Sequence, residues 1–143
     1  MENKNEIQRP TVGIGVMILK DGKVLLGKRR GSHAAGEYAF PGGHLEYMES
    51  FEACARREVE EETGLKIKNL KFILLSNEKT YPPKHYVHIG FLADWQDGEP
   101  KILEPNKVDS WNWYDLDHLP SPLMEMTKKQ LGCYKKGKNY FDA

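Results

Sequence analysis

The chain has 143 residues, 39% apolar and 29% charged, with 21 basic side chains matched by 21 acidic ones. That length suits one domain able to bury roughly 68–70% of its unfolded surface, and the mix excludes both a disordered chain and a membrane-embedded one. Two cysteines, Cys54 and Cys133, exclude a disulfide scaffold and a four-thiolate zinc site, and the opening MENKNEIQRP lacks an apolar signal region, so a reducing, cytoplasmic setting is expected.

In chain order, TVGIGVMIL at 11–19 is β-branched and apolar and predicts a strand, Asp21-Gly22 a tight turn, and KVLLGKR at 23–29 the returning strand of a hairpin. RGSHAAGE at 30–37 reads as a loop, and the short strand YAF at 38–40 is expected to stop at Pro41-Gly42-Gly43. Residues 50–63 hold no Gly or Pro, with Ser50 as N-cap and Gly64 closing the helix. Strands are expected over 65–80 and 85–95, a loop over 98–110, and a last strand over 110–116. Ser121-Pro122 is expected to open a C-terminal helix, with proline at its first position. No repeat, linker or low-complexity tract interrupts this order. It describes one mixed α/β domain with a mostly hairpin-built sheet and two helices.

Charge is unevenly spread. Residues 1–42 hold seven Lys or Arg against four acids, whereas 43–65 hold seven Glu against only Arg56 and Arg57. A duplex-binding domain would show a basic excess, and this chain has none. One acidic segment between basic flanks suits a metal-bridged anionic ligand or a solvated acidic helix.

Successive helix residues turn by roughly 100°, so with Phe51 at zero, Ala55 falls near 40°, Glu58 near 340° and Glu62 near 20°. Glu58 and Glu62 thus share the stripe that should face the protein, Glu61 sits at its edge, and Glu52 and Glu60 point to water. Two half-shielded carboxylates repel each other and lose hydration. A divalent cation relieves both costs, and hard oxygens without thiolates favour magnesium or manganese over zinc. Ordinary ion pairs to Arg56 and Arg57 are the alternative.

Spacing outside the helix separates the two readings. Gly43, Glu49 after five residues, and Arg57-Glu58-Val59-Glu60-Glu61-Glu62-Thr63-Gly64-Leu65 after seven more match G-x5-E-x7-R-E-U-x-E-E-x-G-U at all nine specified positions, U being apolar. The chance of that at one start is on the order of one in a billion. The chain therefore resembles the Nudix hydrolases, with the box at 43–65 and one such domain over 1–143. VLLGKRRGS, PGGHLE, HYV, EPNK and WNWYDLDHLP are similar to the cytosolic nucleoside-triphosphate branch with its plant and animal MutT-like enzymes.

The resemblance implies an α/β/α sandwich with a mixed central sheet, and magnesium-dependent hydrolysis of a nucleoside diphosphate linked to a further group. It implies Glu58 and Glu62 as metal ligands with the carbonyl near Gly43, Glu61 as a third ligand or as base for the attacking water, and Glu104 as a rival base. Glu49 and Arg57 would pair and orient the metal-binding face. Arg29, Gly42 and His44 are candidate substrate contacts. Metal bridging the phosphates screens their charge and removes the need for a serine or cysteine nucleophile, and no P-loop motif is present. The expected substrate is a nucleoside triphosphate, a purine or oxidised guanine nucleotide among the candidates, cleaved to monophosphate and pyrophosphate. A nucleotide sugar, a dinucleotide, or a sensor domain without turnover are the alternatives. The partner is a small nucleotide, with neither duplex nor membrane, and a homodimer is suggested by the branch.

Remaining residues read more plainly. His85 and His88, three apart in a strand, face opposite sides and are expected at surface positions; His33 belongs to a loop near the site. Trp111 and Trp113 share one strand face and are expected in the core; Cys54 and Cys133 are expected as inert filler. Where the MutT-like branch opens its last helix with an aromatic pair, this chain has LPSPLMEM. Glu125 there is either a reader of guanine's donor edge or a solvated first-turn acid.

Overall fold

A computed structural model describes residues 7–31 and 33–142; most of the amino-terminal segment read for a signal, and Ser32 of the 30–37 loop, lie outside them. Its elements are β1 (Thr11–Lys20), β2 (Lys23–Arg29), β3 (Tyr38–Ala39), β4 (Gly42–His44), α1 (Phe51–Thr63), β5 (Lys66–Glu78), β6 (Tyr86–Asp97), β7 (Val108–Asp115), α2 (Glu125–Lys136) and β8 (Tyr140–Phe141). The strands join one mixed sheet in the order β3-β2-β1-β6-β5-β8, with β4 also paired to β1 and β7 to β2. β1 runs parallel to β6, and β5 to β8; the other pairs are antiparallel.

Strand alternation explains the layers. Along β1, Ile14, Val16 and Ile18 join a core with Leu25 of β2 and with Cys54, Ala55 and Val59 of α1. The intervening Met17, with Val24 and Leu26 of β2, joins a second core with Phe40 and Leu131 of α2. Opposite faces of the same strands thus carry different helices, which makes the α/β/α sandwich. Among the described residues no helix is long and apolar enough to cross a membrane.

The hairpin forms as its residues require: Asp21 and Gly22 both take positive φ, 51° and 78°, the backbone of a tight turn between right-twisted strands. The pairing of β1 then splits. β2 holds Leu19 and Lys20, and further along the same edge β4 takes Gly13, Ile14 and Gly15. β3 ends at Ala39, before Pro41, as expected, but Gly42 and Gly43 then open the separate short strand β4. A Cβ on Gly42 would overlap the Ile14 carbonyl oxygen, so only glycine allows this approach.

Helix α1 starts where Ser50 Oγ accepts the Ala53 N–H at 3.1 Å and ends where Gly64, at φ 78°, donates to the Glu60 carbonyl at 2.9 Å. Its first residue departs from the helical-wheel expectation: Phe51 is 48% exposed, because the buried stripe begins one turn later at Cys54 and Ala55. The last helix opens at Glu125, not Pro122. The Pro122 carbonyl accepts from Tyr38 N–H, and the Met124 N–H donates to the Tyr38 carbonyl, both at 2.8 Å, so this segment pairs alongside β3 before any helix forms. Met124 supplies no side-chain cap; the Tyr81 hydroxyl accepts the Glu125 N–H instead, at 3.0 Å. The strand β8 had no sequence signal beyond a Tyr-Phe pair, and it is held by two residues of β5.

The N-cap sets where the acidic helix begins. Ser50→Ala should lower stability in urea unfolding by about 1 kcal/mol, with Ser50→Gly costing less.

Candidate active site

Two glycines set the acids in place. Gly43 faces α1 so closely that a Cβ there would overlap the Glu58 carboxylate. One position earlier, the Gly42 N–H donates to Glu62 Oε2 at 3.2 Å. The two inward carboxylates of the helix thus rest on the bare backbone of β4. Glu58 and Glu62 are half-buried, while Glu52, Glu60 and Glu61 are exposed, as the wheel requires.

Arg57 ties this face to the loop before it. Its Nε and Nη2 grip Glu49 at 2.7 and 2.9 Å, its Nη1 reaches Glu58 Oε1 at 2.6 Å and Glu61 Oε2 at 3.2 Å, and Nη2 also donates to the His44 carbonyl at 3.1 Å. This bidentate fork holds the Glu49 carboxyl down at about 2. Arg56 takes no part: it pairs with the exposed Glu52 and donates to the Ile67 carbonyl. One arginine, not two, orders the acids.

Charge crowds the inner end. Burial pushes the Glu62 carboxyl up to about 8, aided by the nearby charges of Glu58 and Glu104. Burial also raises Glu58, against the opposing pull of Arg57. The donor set suits a hard divalent cation: buried carboxylate oxygens, a main-chain segment without a Cβ, and an excess of like charge. Among the described residues no three His, Cys, Asp or Glu side chains stand gathered as a ready ligand set. Arg57 draws Glu58 and Glu61 along its fork while Gly42 holds Glu62, so these groups must turn together to meet a metal.

A cleft leads away from Glu62. Glu104, Lys107 and Arg29 line it, and Phe40, Met124, Met126 and Thr127 form an apolar wall. Gly13, Gly15 and Gly27 line it as well. The Gly27 gap is covered by Trp111, whose ring lies 2.6 Å from where a Cβ would stand. At the mouth, His33 stacks edge-on against Tyr81 at 4.9 Å, and His44 lies 5.7 Å from the Tyr86 ring.

Of the residues singled out from sequence, Arg29, Gly42, His44, Glu62 and Glu104 line this cleft, and Glu58, Glu61, Glu49 and Arg57 stand behind Glu62. Glu125 is not brought to it; its carboxylate pairs with Lys128 at 3.4 Å while Met124 and Met126 form the wall. His88 corrects the surface expectation: it is 7% exposed and lines the cleft, because the sheet face it occupies lies under α2. Trp111 and Trp113 pack on the α1-side core, and both cysteines are buried and free. Sequence reasoning passed over His88, Tyr86, Phe40 and Thr127. The usable signal was V-G-I-G-V at 12–16, alternate glycines on one strand face, which leave room for something other than side chains.

The opposite shifts of Glu62 and Glu49 occupy separate pH windows. Glu62 holds its proton more tightly in the folded state, so it removes stability as pH rises from about 4.5 to about 8 in chelator. Glu49 holds its proton less tightly, so its contribution is present above about 4.5 and is lost as pH falls toward 2. Glu62→Gln should therefore gain stability relative to the wild type steadily between pH 4.5 and 8. Histidine titrations cancel in that difference, which chemical unfolding at a series of pH values measures.

Comparison with known proteins agrees with this architecture. The NUDIX domain family model matches residues 8–134. An ADP-ribose pyrophosphatase of Methanocaldococcus jannaschii is 35% identical over 91% of this chain and 76% of its own length. An oxidized purine nucleoside triphosphate hydrolase of Danio rerio is 33% identical over 84% of this chain and 83% of its own. The chain spans less than half of some relatives, such as 42% of an NAD-capped RNA hydrolase of Chromobacterium violaceum. Among solved structures, a MutT NUDIX hydrolase from Burkholderia pseudomallei superposes with a TM-score of 0.83 at 33% identity, over 87% of this chain and 98% of that one. With the complete box folded onto its glycine cradle, the chain belongs to the NUDIX domain family.

Proposed function

We propose that the protein hydrolyses a phosphoanhydride bond in a nucleoside polyphosphate, with magnesium or manganese as cofactor. The observation that carries this reading is the cleft that Glu62 and Glu104 line together with Arg29, Lys107 and the apolar Phe40, Met124 and Met126. Acids, cations and an apolar surface gathered in one cleft match the metal, phosphates and base of a nucleotide.

Glu58, Glu61 and Glu62, with the main chain at Gly43, would hold the cation. Bound magnesium supplies Lewis acidity that screens phosphate charge and acidifies water. Arg57, itself fixed by Glu49, holds Glu58 and Glu61 together until they turn to the cation. Arg29 is steadied by its Nε donating to the His33 carbonyl at 3.2 Å, and this leaves its terminal nitrogens to meet phosphate oxygens. Glu104 lines the cleft and Glu61 does not, which supports Glu104 as the group that takes the proton of the attacking water. A sensor without turnover has no need of Glu58, Glu61 and Glu62 together.

The preferred substrate is a nucleoside triphosphate, as the name of the Danio rerio relative suggests, and the proposed cleavage yields monophosphate and pyrophosphate. ADP-ribose is the second reading, favoured by the relative of that name at 35% identity. A nucleotide panel with magnesium separates them: a triphosphate yields pyrophosphate, whereas ADP-ribose yields AMP and ribose phosphate with none. Glu58→Gln and Glu62→Gln should each lower kcat by orders of magnitude while the fold persists, and Glu60→Gln should change it little. EDTA should abolish turnover. Equal losses at Glu60 and Glu62 would contradict the assignment.

A further inference from the structure

The proposed chemistry leaves one built feature of the cleft without a task. His88 and Gln130 meet beneath the apolar wall, and two glycines make room for them. A Cβ on Gly15 would stand 2.7 Å from His88 Cε1, and one on Gly90 would stand 2.7 Å from the Gln130 amide. Gln130 is fully buried on α2, and its Nε2 donates to the carbonyls of Gly15 at 3.1 Å and Phe91 at 3.0 Å. Turning the amide over would set its oxygen against two carbonyl oxygens. The orientation is therefore fixed, and Oε1 must face His88 Nε2, 2.9 Å away.

That contact determines the imidazole. Oε1 only accepts, so Nε2 carries the hydrogen. Burial holds the ring below the ordinary histidine range and so neutral at pH 7. The charges nearest it, Glu78 and Lys129, pair with each other at 2.7 Å and pull in opposite directions. A neutral ring with its hydrogen on Nε2 keeps a lone pair on Nδ1. Among the described residues no side chain other than Gln130 bonds the ring, and the ring lines the cleft beside Phe40, Met124 and Thr127.

We propose that His88 is the specificity-determining residue for the nucleobase, offering Nδ1 as an acceptor to an exocyclic amino group, with Gln130 as the positioning residue that sets its tautomer. The inference rests on the reading of the cleft as a nucleotide site. It selects amino-bearing bases against deaminated ones, which present a carbonyl or nothing at the same place. An acceptor left facing a carbonyl forfeits its bond and adds repulsion, which amounts to roughly ten- to hundredfold in affinity.

The test uses nucleoside monophosphates, whose binding needs neither metal nor turnover. By calorimetry, AMP or GMP should bind the wild type at least tenfold more tightly than IMP, which lacks both amino groups. His88→Phe keeps an aromatic ring but no acceptor, and it should bring all three to the IMP level. In the wild type labelled with 15N-histidine, His88 should show the Nε2–H tautomer, with its Nδ1 resonance moving on addition of the favoured monophosphate and not with IMP. IMP binding as tightly as both others, discrimination retained in His88→Phe, hydrogen on Nδ1, or no binding of any monophosphate would overturn the proposal. Absence of magnesium-dependent hydrolysis alongside intact discrimination would instead refute the proposed activity and leave base reading standing.

Discussion

The site depends on one guanidinium. Arg57 is grasped bidentately by Glu49 and in turn touches Glu58, Glu61 and the His44 carbonyl. Oxygens from three stretches of chain converge on one planar cation, and that fixes the loop before α1, the helix face and the end of β4 relative to one another. An exposed ion pair contributes little to stability. Arg57 instead holds the like-charged carboxylates of Glu49, Glu58 and Glu61 around one cation.

The same economy of space governs the substrate side. Where β2 leaves the edge of β1 and β4 takes it up, the strand carries Gly13 and Gly15, and Gly90 of β6 pairs with Gly15. The missing side chains at Gly15 and Gly90 admit the His88–Gln130 pair. Tyr81 closes the other side: its hydroxyl donates to Glu37 and accepts from the first turn of α2, tying the β5–β6 loop to the helix that bears the apolar wall. One constraint holds the acids and another holds the pocket, and Glu62 belongs to both through its bond to Gly42.

Much of this was legible in the chain. The box residues declare themselves by spacing, and Ser50 and Gly64 bound the helix by ordinary capping chemistry. The wheel sorted Glu58 and Glu62 from Glu60 because helical periodicity is a local property. What was not legible depends on contacts between distant segments. Pro122 looked like a helix start, but its carbonyl is taken by Tyr38, 84 positions away in the sequence. His88 looked like a surface residue until Gln130 of α2 covered it. Each case is a long-range hydrogen bond or packing contact overriding a sound local expectation.

The central claim is that the acidic face of α1 is a divalent-cation site of the folded protein. On the proposed reading magnesium would bind the folded carboxylates and not the unfolded chain, so millimolar magnesium should raise the Tm by linkage. The direct measurement is a thermal scan of the wild type and of Glu62→Gln, each in magnesium and in EDTA. The wild type should show a higher Tm in magnesium, and Glu62→Gln a much smaller shift. A wild type that melts at the same temperature in magnesium and in EDTA would contradict it.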